Sequence, residues 1–577
     1  MPLVLVNDRV SSWQVDNIAV VGPGIVGMPM AAMLAHARIC EGSVSPAKVT
    51  VIQRPSVTSG WKVDAINAGR SPIGGREPDL DRIVAESVQA GLLCASHAYE
   101  AARVADVVLI CTQTDKRGLA PDYGPLFEAL EGIAAELLQR PPGNVPLVIF
   151  ESTLAPSTMG TLIRDFFASR GLVEGRDILL GNSPNRVMPG RLVERVADSD
   201  KVVAGLHPDT PGLIARLYSR IVTRGTLHTA NSMTAEVVKT LENAYRDVRV
   251  AYAAEVARFC DAADVDFYAL RERVNAQLQQ QDMASDDPNA VPSGGLLVPT
   301  VGVGGHCLPK DGILLWWRAL EAGLDAGRSL ILEARRVNDA SPIETLALAE
   351  RAFGSLAGRG VALLGTAYRF NSEDTRNSPT LVLAALLRQR GATVTLHDPY
   401  VHATDQNLKA AGLDSVFTRE LARAVATAEV VFLCTGHRDY LDRRAELLTA
   451  AVCAVGVVDA CNLWHRDDVA ERGLAYAGIG RGRAEPADEL VMAVVRGFRK
   501  VETGVANEVE SLLRFLNGRY ATTAFEQVRF SEVQRIARTC VTGCAIVDPG
   551  PVAADEGVAT ETGPFRSRMA AVAAGLA

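Results

Sequence analysis

The stretch VPTVGVGGHCLPKDGILL, residues 298–315, sets Cys307 among four glycines and follows it closely with Lys310 and Asp311. A thiolate is a strong nucleophile, and a backbone this rich in glycine lets main chain approach a ligand. On its own, Cys307 reads first as a buried structural thiol. Two residues elsewhere could serve it. TAEVVKTLENAYRDVRVAYAAEVARFCD, from Thr234 to Asp261, has helical periodicity and neither Gly nor Pro. Lys239 and Asn243 stand four residues apart in it, on one face. By periodicity alone that face is solvated.

A second group of residues suits phosphate. NIAVVGPGIVGMPMAAMLAHA, residues 17–37, is a β-rich run, then Gly22-x-Gly24-x-x-Gly27, then a helix of small residues. Gly22 suits a tight turn, Gly24 a close pyrophosphate, and Gly27 helix-on-strand packing. The phosphates then sit at the positive end of the helix. The alternative is a tight βα turn without a ligand. Apolar strand-like runs recur at VTVIQ (49–53), VVLICTQT (107–114), PLVIFEST (146–153) and DILLGNSP (177–184), with helical stretches between. That alternation predicts a parallel sheet. Dinucleotide sites usually carry Asp or Glu after the second strand. Here Gln53 and Arg54 follow it, and Arg54 would accommodate a 2′-phosphate. NAD is the expected cofactor, with NADP as the alternative.

At 577 residues the chain exceeds one hydrophobic core, and about three domains is the prior. It is 48% hydrophobic and 22% charged with net charge −8, an ordinary globular profile that argues against sequence-independent nucleic-acid binding. Its ten cysteines are scattered, mostly in apolar runs, as in a reducing compartment. MPLVLVNDRV has no basic stretch before an apolar core, and no apolar run reaches the roughly 18–20 residues that span a bilayer. The expectation is a cytoplasmic protein without a membrane or nucleic-acid partner.

Over roughly residues 15–475 the chain resembles the UDP-glucose/GDP-mannose dehydrogenase family of nucleotide-sugar 6-dehydrogenases. The resemblance rests on the glycine motif, WKVDAINAGRSPI…EPDL (61–80), ESTLAPST (151–158), SPNRVMPGR (183–191), EVVKTLENAYRDVRVAYAAEVARFC (236–260), GVGGHCLPKD (302–311) and GTAYRFNSEDTRNSPTLVLAALL (365–387), in the family's order. It implies an α/β fold of two Rossmann-like, doubly wound parallel-sheet domains joined by the long central helix, with a C-terminal extension. The divisions expected are 1–230 for cofactor, 231–345 for the long helix and cysteine loop, 346–475 for the nucleotide sugar, and 476–577 for a helical extension and mobile tail. A homodimer through the long helix is the implied assembly.

The implied reaction oxidises the C6 primary alcohol of a nucleotide-linked sugar twice, consuming two nicotinamide cofactors. Cys307 captures the aldehyde, and the thioester formed by the second oxidation is hydrolysed. Covalent capture keeps a reactive aldehyde from escaping. The resemblance makes Lys239 the stabiliser of the alkoxide, with Asn243 and Asp311 orienting groups or a water. Thr153 lies beside cofactor and substrate. Lys310, favouring the Cys307 thiolate, and Arg376 approach the cofactor phosphates, and Thr112 joins the cofactor set. Asn185, Arg186, Gly304, Gly305 and Arg369 fall at substrate-facing positions. No metal site is implied: Cys540 and Cys544 have C-x₃-C spacing but no second pair.

Four departures touch function. Asn185 replaces a family glutamate assigned to thioester hydrolysis, and a lost base commonly costs about 10²–10⁴ in rate. The acidic strand end is missing. Arg369 replaces a lysine, which alters phosphate geometry. Asp459-Ala460-Cys461-Asn462 lacks an arginine expected to hold the nucleotide. These leave open an enzyme that stops at the aldehyde, one acting on another nucleotide-linked alcohol, and a relative that binds without turnover. RVMPG and GVGGHC favour a UDP-N-acetylhexosamine, whereas CLPKD favours glucose and mannose enzymes.

Overall fold

A computed structural model of the protein describes residues 3–7, 9–74, 77–187, 189–280, 282, 294–540 and 544–549. The expected mobile tail, residues 550–577, lies outside the described residues. Contacts divide the chain into two compact units. One comprises Met1–Glu242, Ile313–Leu324 and Val509–Ile546; the other comprises Asn243–Gly312, Asp325–Glu508 and Val547–Ala577.

The first unit is built on an eight-stranded sheet. Its order is Leu227–Asn231, Lys201–Gly205, Leu179–Asn182, Leu147–Phe150, Val107–Ile110, Asn17–Val21, Lys48–Ile52 and Leu93–Ser96. Val107–Ile110 and Leu147–Phe150 are wholly buried apolar runs, the signature of a sheet covered on both faces. Six of its seven strand pairings are parallel, as the alternation predicts, and at the remaining one Leu179–Asn182 meets Lys201–Gly205 antiparallel. Only the helix Leu192–Asp198 lies between those two strands, and an antiparallel neighbour needs no crossover. The strand order reverses between Asn17–Val21 and Val107–Ile110, the place where an α/β sheet opens a crevice for ligand.

The second unit holds a six-stranded, fully parallel sheet. Its order is Phe417–Thr418, Thr393–His397, Gly360–Leu364, Val430–Leu433, Gly456–Asp459 and Ala475–Gly478. Here the reversal falls between Gly360–Leu364 and Val430–Leu433. Asp398, just past Thr393–His397, is buried and accepts the backbone N–H groups of Thr366 (2.8 Å) and Ala367 (2.9 Å) and a bond from His437 (3.0 Å). Burial opposes its charge, but His437 and these amides hold its carboxyl below the usual range. It therefore fixes the loop after Gly360–Leu364.

The helix Ser232–Ala263 runs through both units. No residue from 232 to 261 is exposed, as expected of a helix packed all round. In the second unit, Tyr252, Ala253, Val256 and Cys260 pack with Leu490, Val491, Val494 and Phe498 of the helix Asp488–Tyr520. Tyr252 Oη donates to the Val494 carbonyl (2.7 Å) and Tyr245 Oη to Glu502 (2.6 Å). Residues 490–502 of the C-terminal extension thus pack on the central helix.

Asp261 ends this packing by accepting the Gly480 backbone N–H at 2.7 Å, and burial pushes its carboxyl up to about 7. A carboxyl raised on folding stabilises the native state at acid pH, and that contribution is lost as pH rises through 7. The thermal midpoint of the protein should therefore fall between pH 5 and pH 8 by more than that of Asp261→Asn. Parallel melting curves across that range check this.

Candidate functional site

The sequence positions fall into two groups, one in each unit. In the first unit the strand Asn17–Val21 turns at Gly22, with φ +95°, into the helix Gly27–His36. A Cβ on Gly27 would lie 2.1 Å from the Gly22 carbonyl oxygen, so only glycine allows the turn to close on the helix. A Cβ on Gly24 would meet nothing within 4 Å, because it faces open space. That space is a cavity of about 540 Å³ lined by Gly22, Gly24, Arg54, Lys62, Thr112 and Glu128, among others. A glycine turn, a helix N-terminus and this volume fit a bound dinucleotide. Arg54 is paired with Glu128. Lys62 donates to the Pro23 carbonyl (3.3 Å), and burial lowers the pKa of its ammonium. Thr112 and Thr153 are half-buried; their carbonyls accept from Ser152 and from Thr114 (2.7 Å) respectively.

Asn185 and Arg186 are held by buried carboxylates. Asn185 Nδ2 donates to Glu151 (2.9 Å), which also receives Lys201 Nζ (2.7 Å) and Tyr218 Oη. A glutamate at 185 would set a second carboxylate against Glu151, a repulsion that the amide avoids. Arg186 differs from its expected substrate-facing place. Its guanidinium, 6% exposed, pairs through two nitrogens with Glu242 and also reaches the Asp200 carbonyl (2.9 Å) and Thr539 (3.1 Å). A charge this buried requires such pairing. Lys239 is half-buried on the central helix, close enough to Glu242 to lower its pKa, though burial raises that carboxyl overall.

In the second unit Cys307 is exposed and immediately precedes the helix Leu308–Glu321. Its carbonyl accepts the N–H groups of Lys310 (3.1 Å) and Asp311 (2.9 Å), starting the first turn. The thiol thereby stands at the start of a helix. Burial pushes the Cys111, Cys461 and Cys544 thiols well up and those of Cys260 and Cys434 to about 12. Asp311 is buried. Its Oδ2 accepts from Asn243 Nδ2 at 2.6 Å, and its Oδ1 lies 3.3 Å from Lys310 Nζ without a hydrogen-bond partner.

The glycines before Cys307 serve packing. A Cβ on Gly304 would lie 2.4 Å from Tyr368 Cβ, and one on Gly305 2.8 Å from its ring. Gly305 also donates to the Arg376 carbonyl (2.8 Å) and accepts from Asn377 Nδ2 (2.9 Å). The loop is thus clamped on residues 368–377. The Arg376 side chain grips Asp374 at 2.9 and 2.6 Å. Arg369 is half-buried, 5.9 Å from the Phe370 ring. Near the missing arginine, Asp459 accepts the backbone N–H groups of Cys461 and Trp464, while Arg481 bonds Asn462 and lies 4.1 Å over the Tyr268 ring. Arg481 and Glu128 escaped sequence reasoning because each reaches its site from a segment outside the quoted motifs, whereas Glu151 and Tyr368 stand inside them and only the fold shows what they touch.

A glycine turn between a parallel strand and a helix, at the point where strand order reverses, is the arrangement of dinucleotide-binding sheets. Three models of the UDP-glucose/GDP-mannose dehydrogenase family match the chain: the NAD binding domain at residues 16–222, the central domain at 233–340 and the UDP binding domain at 362–466. The UDP-N-acetyl-D-mannosamine dehydrogenase of Pyrococcus horikoshii is 31% identical over 470 residues, 81% of this chain and 99% of the relative. An NDP-N-acetyl-D-galactosaminuronic acid dehydrogenase from Ralstonia nicotianae is 29% identical over 80% of this chain and 100% of its own. The crystal structure of the enzyme of that name from Methanosarcina mazei Go1 superposes with a TM-score of 0.67 at 28% identity, covering 81% of this chain and 96% of that one. The chain belongs to the UDP-glucose/GDP-mannose dehydrogenase family and is an NAD-dependent nucleotide-sugar dehydrogenase. Among the described residues no helix is long and apolar enough to cross a membrane.

Gly27→Ala should abolish NAD binding, since the added methyl cannot share space with the Gly22 carbonyl. NAD at 100 times its Kd should stabilise the unaltered protein by about 2.7 kcal/mol and the variant hardly at all. An equal thermal shift in both would contradict the assignment of this cavity.

Proposed function

We propose that the chain oxidises the C6 alcohol of a UDP-N-acetylhexosamine, of the mannosamine type, to the uronate through a covalent adduct on Cys307. The observation that carries this reading is the exposed Cys307 thiol at the start of Leu308–Glu321, beside the Asn243–Asp311 pair. The substrate class is supported by the names of the relatives and by RVMPG and GVGGHC in the sequence. In this reading residues 1–230 bind NAD, 231–345 carry the reacting groups and 346–475 grip the nucleotide. The absence of a disulfide among the described cysteines fits a reducing compartment, and we place the enzyme in the cytoplasm.

Bound NAD supplies the hydride acceptor for both oxidations. Lys239 stabilises negative charge on the C6 oxygen as its proton leaves. Cys307 sulfur then bonds to the aldehyde carbon, and the carbonyl oxygen takes up a proton. After the second oxidation the carbon is held as a thioester. Water adds to it, the C–S bond breaks, and the sulfur departs as the thiolate. Asn243 holds Asp311 Oδ2, leaving Oδ1 to accept a proton or orient that water.

Asn185 favours a slow last step, because its amide is bonded to Glu151 and cannot act as a base. Thioester should therefore accumulate during turnover. Two NADH and one carboxylate per sugar are expected at completion; one NADH and a released aldehyde would overturn the proposal. Cys307→Ala should form no carboxylate. Lys239→Ala should lower kcat by about 10²–10³, the cost of one lost oxyanion donor, with NAD affinity unchanged.

A further inference from the structure

We propose that Glu128 is the carboxylate that selects NAD over NADP, standing in for the acid missing after the strand Lys48–Ile52. The inference rests on the reading of the 540 Å³ cavity as the cofactor site. Where an acid normally receives the ribose hydroxyls, Gln53 turns its amide onto the Arg54 carbonyl (3.1 Å) and Ser59 Oγ (3.1 Å). Arg54 follows, and a lone guanidinium at this position would attract a 2′-phosphate.

The guanidinium is not alone. Glu128, on the helix Gly124–Leu137, pairs with Arg54 Nη1, and both side chains line the cavity. With exposures of 52% and 59%, the pair adds little to stability. What it changes is the local charge. A carboxylate there accepts hydrogen bonds from the ribose diol, repels a phosphate dianion and neutralises the cation that would hold it.

Tyr99 fixes the placement of the helix. Its ring also lines the cavity and packs on Gly132, one turn beyond Glu128, where a Cβ would lie 2.8 Å from the ring. Burial and then the Glu128 carboxylate raise the Tyr99 phenol pKa, while Arg54 lowers it, so all three groups share one electrostatic neighbourhood. The strand end and the helix together rebuild the missing acid from a different part of the chain.

Calorimetric titration with NAD, NADP, 5′-AMP and 2′,5′-ADP tests this without turnover. The unaltered protein should bind NAD over NADP and 5′-AMP over 2′,5′-ADP. In Glu128→Gln both ratios should shift toward the 2′-phosphorylated ligand by about tenfold, the effect of one nearby charge. Adding Arg54→Leu should abolish the gain. Ratios unmoved by Glu128→Gln, or a preference of the unaltered protein for 2′,5′-ADP, would overturn the proposal while leaving the cavity as the NAD site. NAD affinity unaffected by Gly27→Ala would instead overturn the reading of the cavity itself.

Discussion

The 2.6 Å hydrogen bond from Asn243 to Asp311 is the contact on which the cysteine site depends. It ties the central helix to the first turn of Leu308–Glu321, the turn that also holds the Cys307 carbonyl. Asp311 is fully buried, so its carboxylate needs compensation from the amide and from Lys310 Nζ at 3.3 Å. The same bond leaves the other carboxylate oxygen facing Lys310 without a hydrogen bond. Structural and chemical demands thus meet in one side chain, and the sulfur before it inherits a fixed position.

Buried carboxylates hold two neighbouring side chains, one of them at a departure from the family pattern. Asn185 satisfies Glu151, which already holds Lys201 and Tyr218. Arg186 neutralises Glu242 and reaches Thr539, in a segment beyond the family match. Phe525, Gln527 and Thr539 of the extension therefore contribute to the first unit's buried polar network, and residues 490–502 pack on the central helix in the second. Asn231 gives the same picture, donating to the Phe525 and Gln527 carbonyls at 2.8 and 3.0 Å.

Much of the fold was legible because its signals are local. Gly22, Gly24 and Gly27 follow a strand and open a helix, as their spacing demands, and 234–261 carries uninterrupted helical periodicity within the helix Ser232–Ala263. The strands Lys201–Gly205 and Leu227–Asn231 were missed because their identity depends on sheet neighbours, and one joins the sheet antiparallel. The packing of the glycines before Cys307 was not legible in the sequence. They suggested a ligand approaching the backbone, whereas Tyr368 fills the space over Gly304 and Gly305. Arg54 suggested a 2′-phosphate because Glu128 is 74 residues away in sequence. Arg186 looked available for substrate because its partner, Glu242, lies on another element. Long-range charge pairing is invisible to spacing arguments.

The central claim is that one sulfur among ten cysteines carries the sugar. Acid quenching during turnover of a UDP-N-acetylhexosamine with NAD, followed by intact-mass measurement and peptide mapping, tests it directly. The account predicts a single added acyl nucleotide-sugar mass, on the peptide containing Cys307 and decaying as carboxylate forms. An adduct on another cysteine, or full carboxylate production with Cys307 never modified, would contradict it.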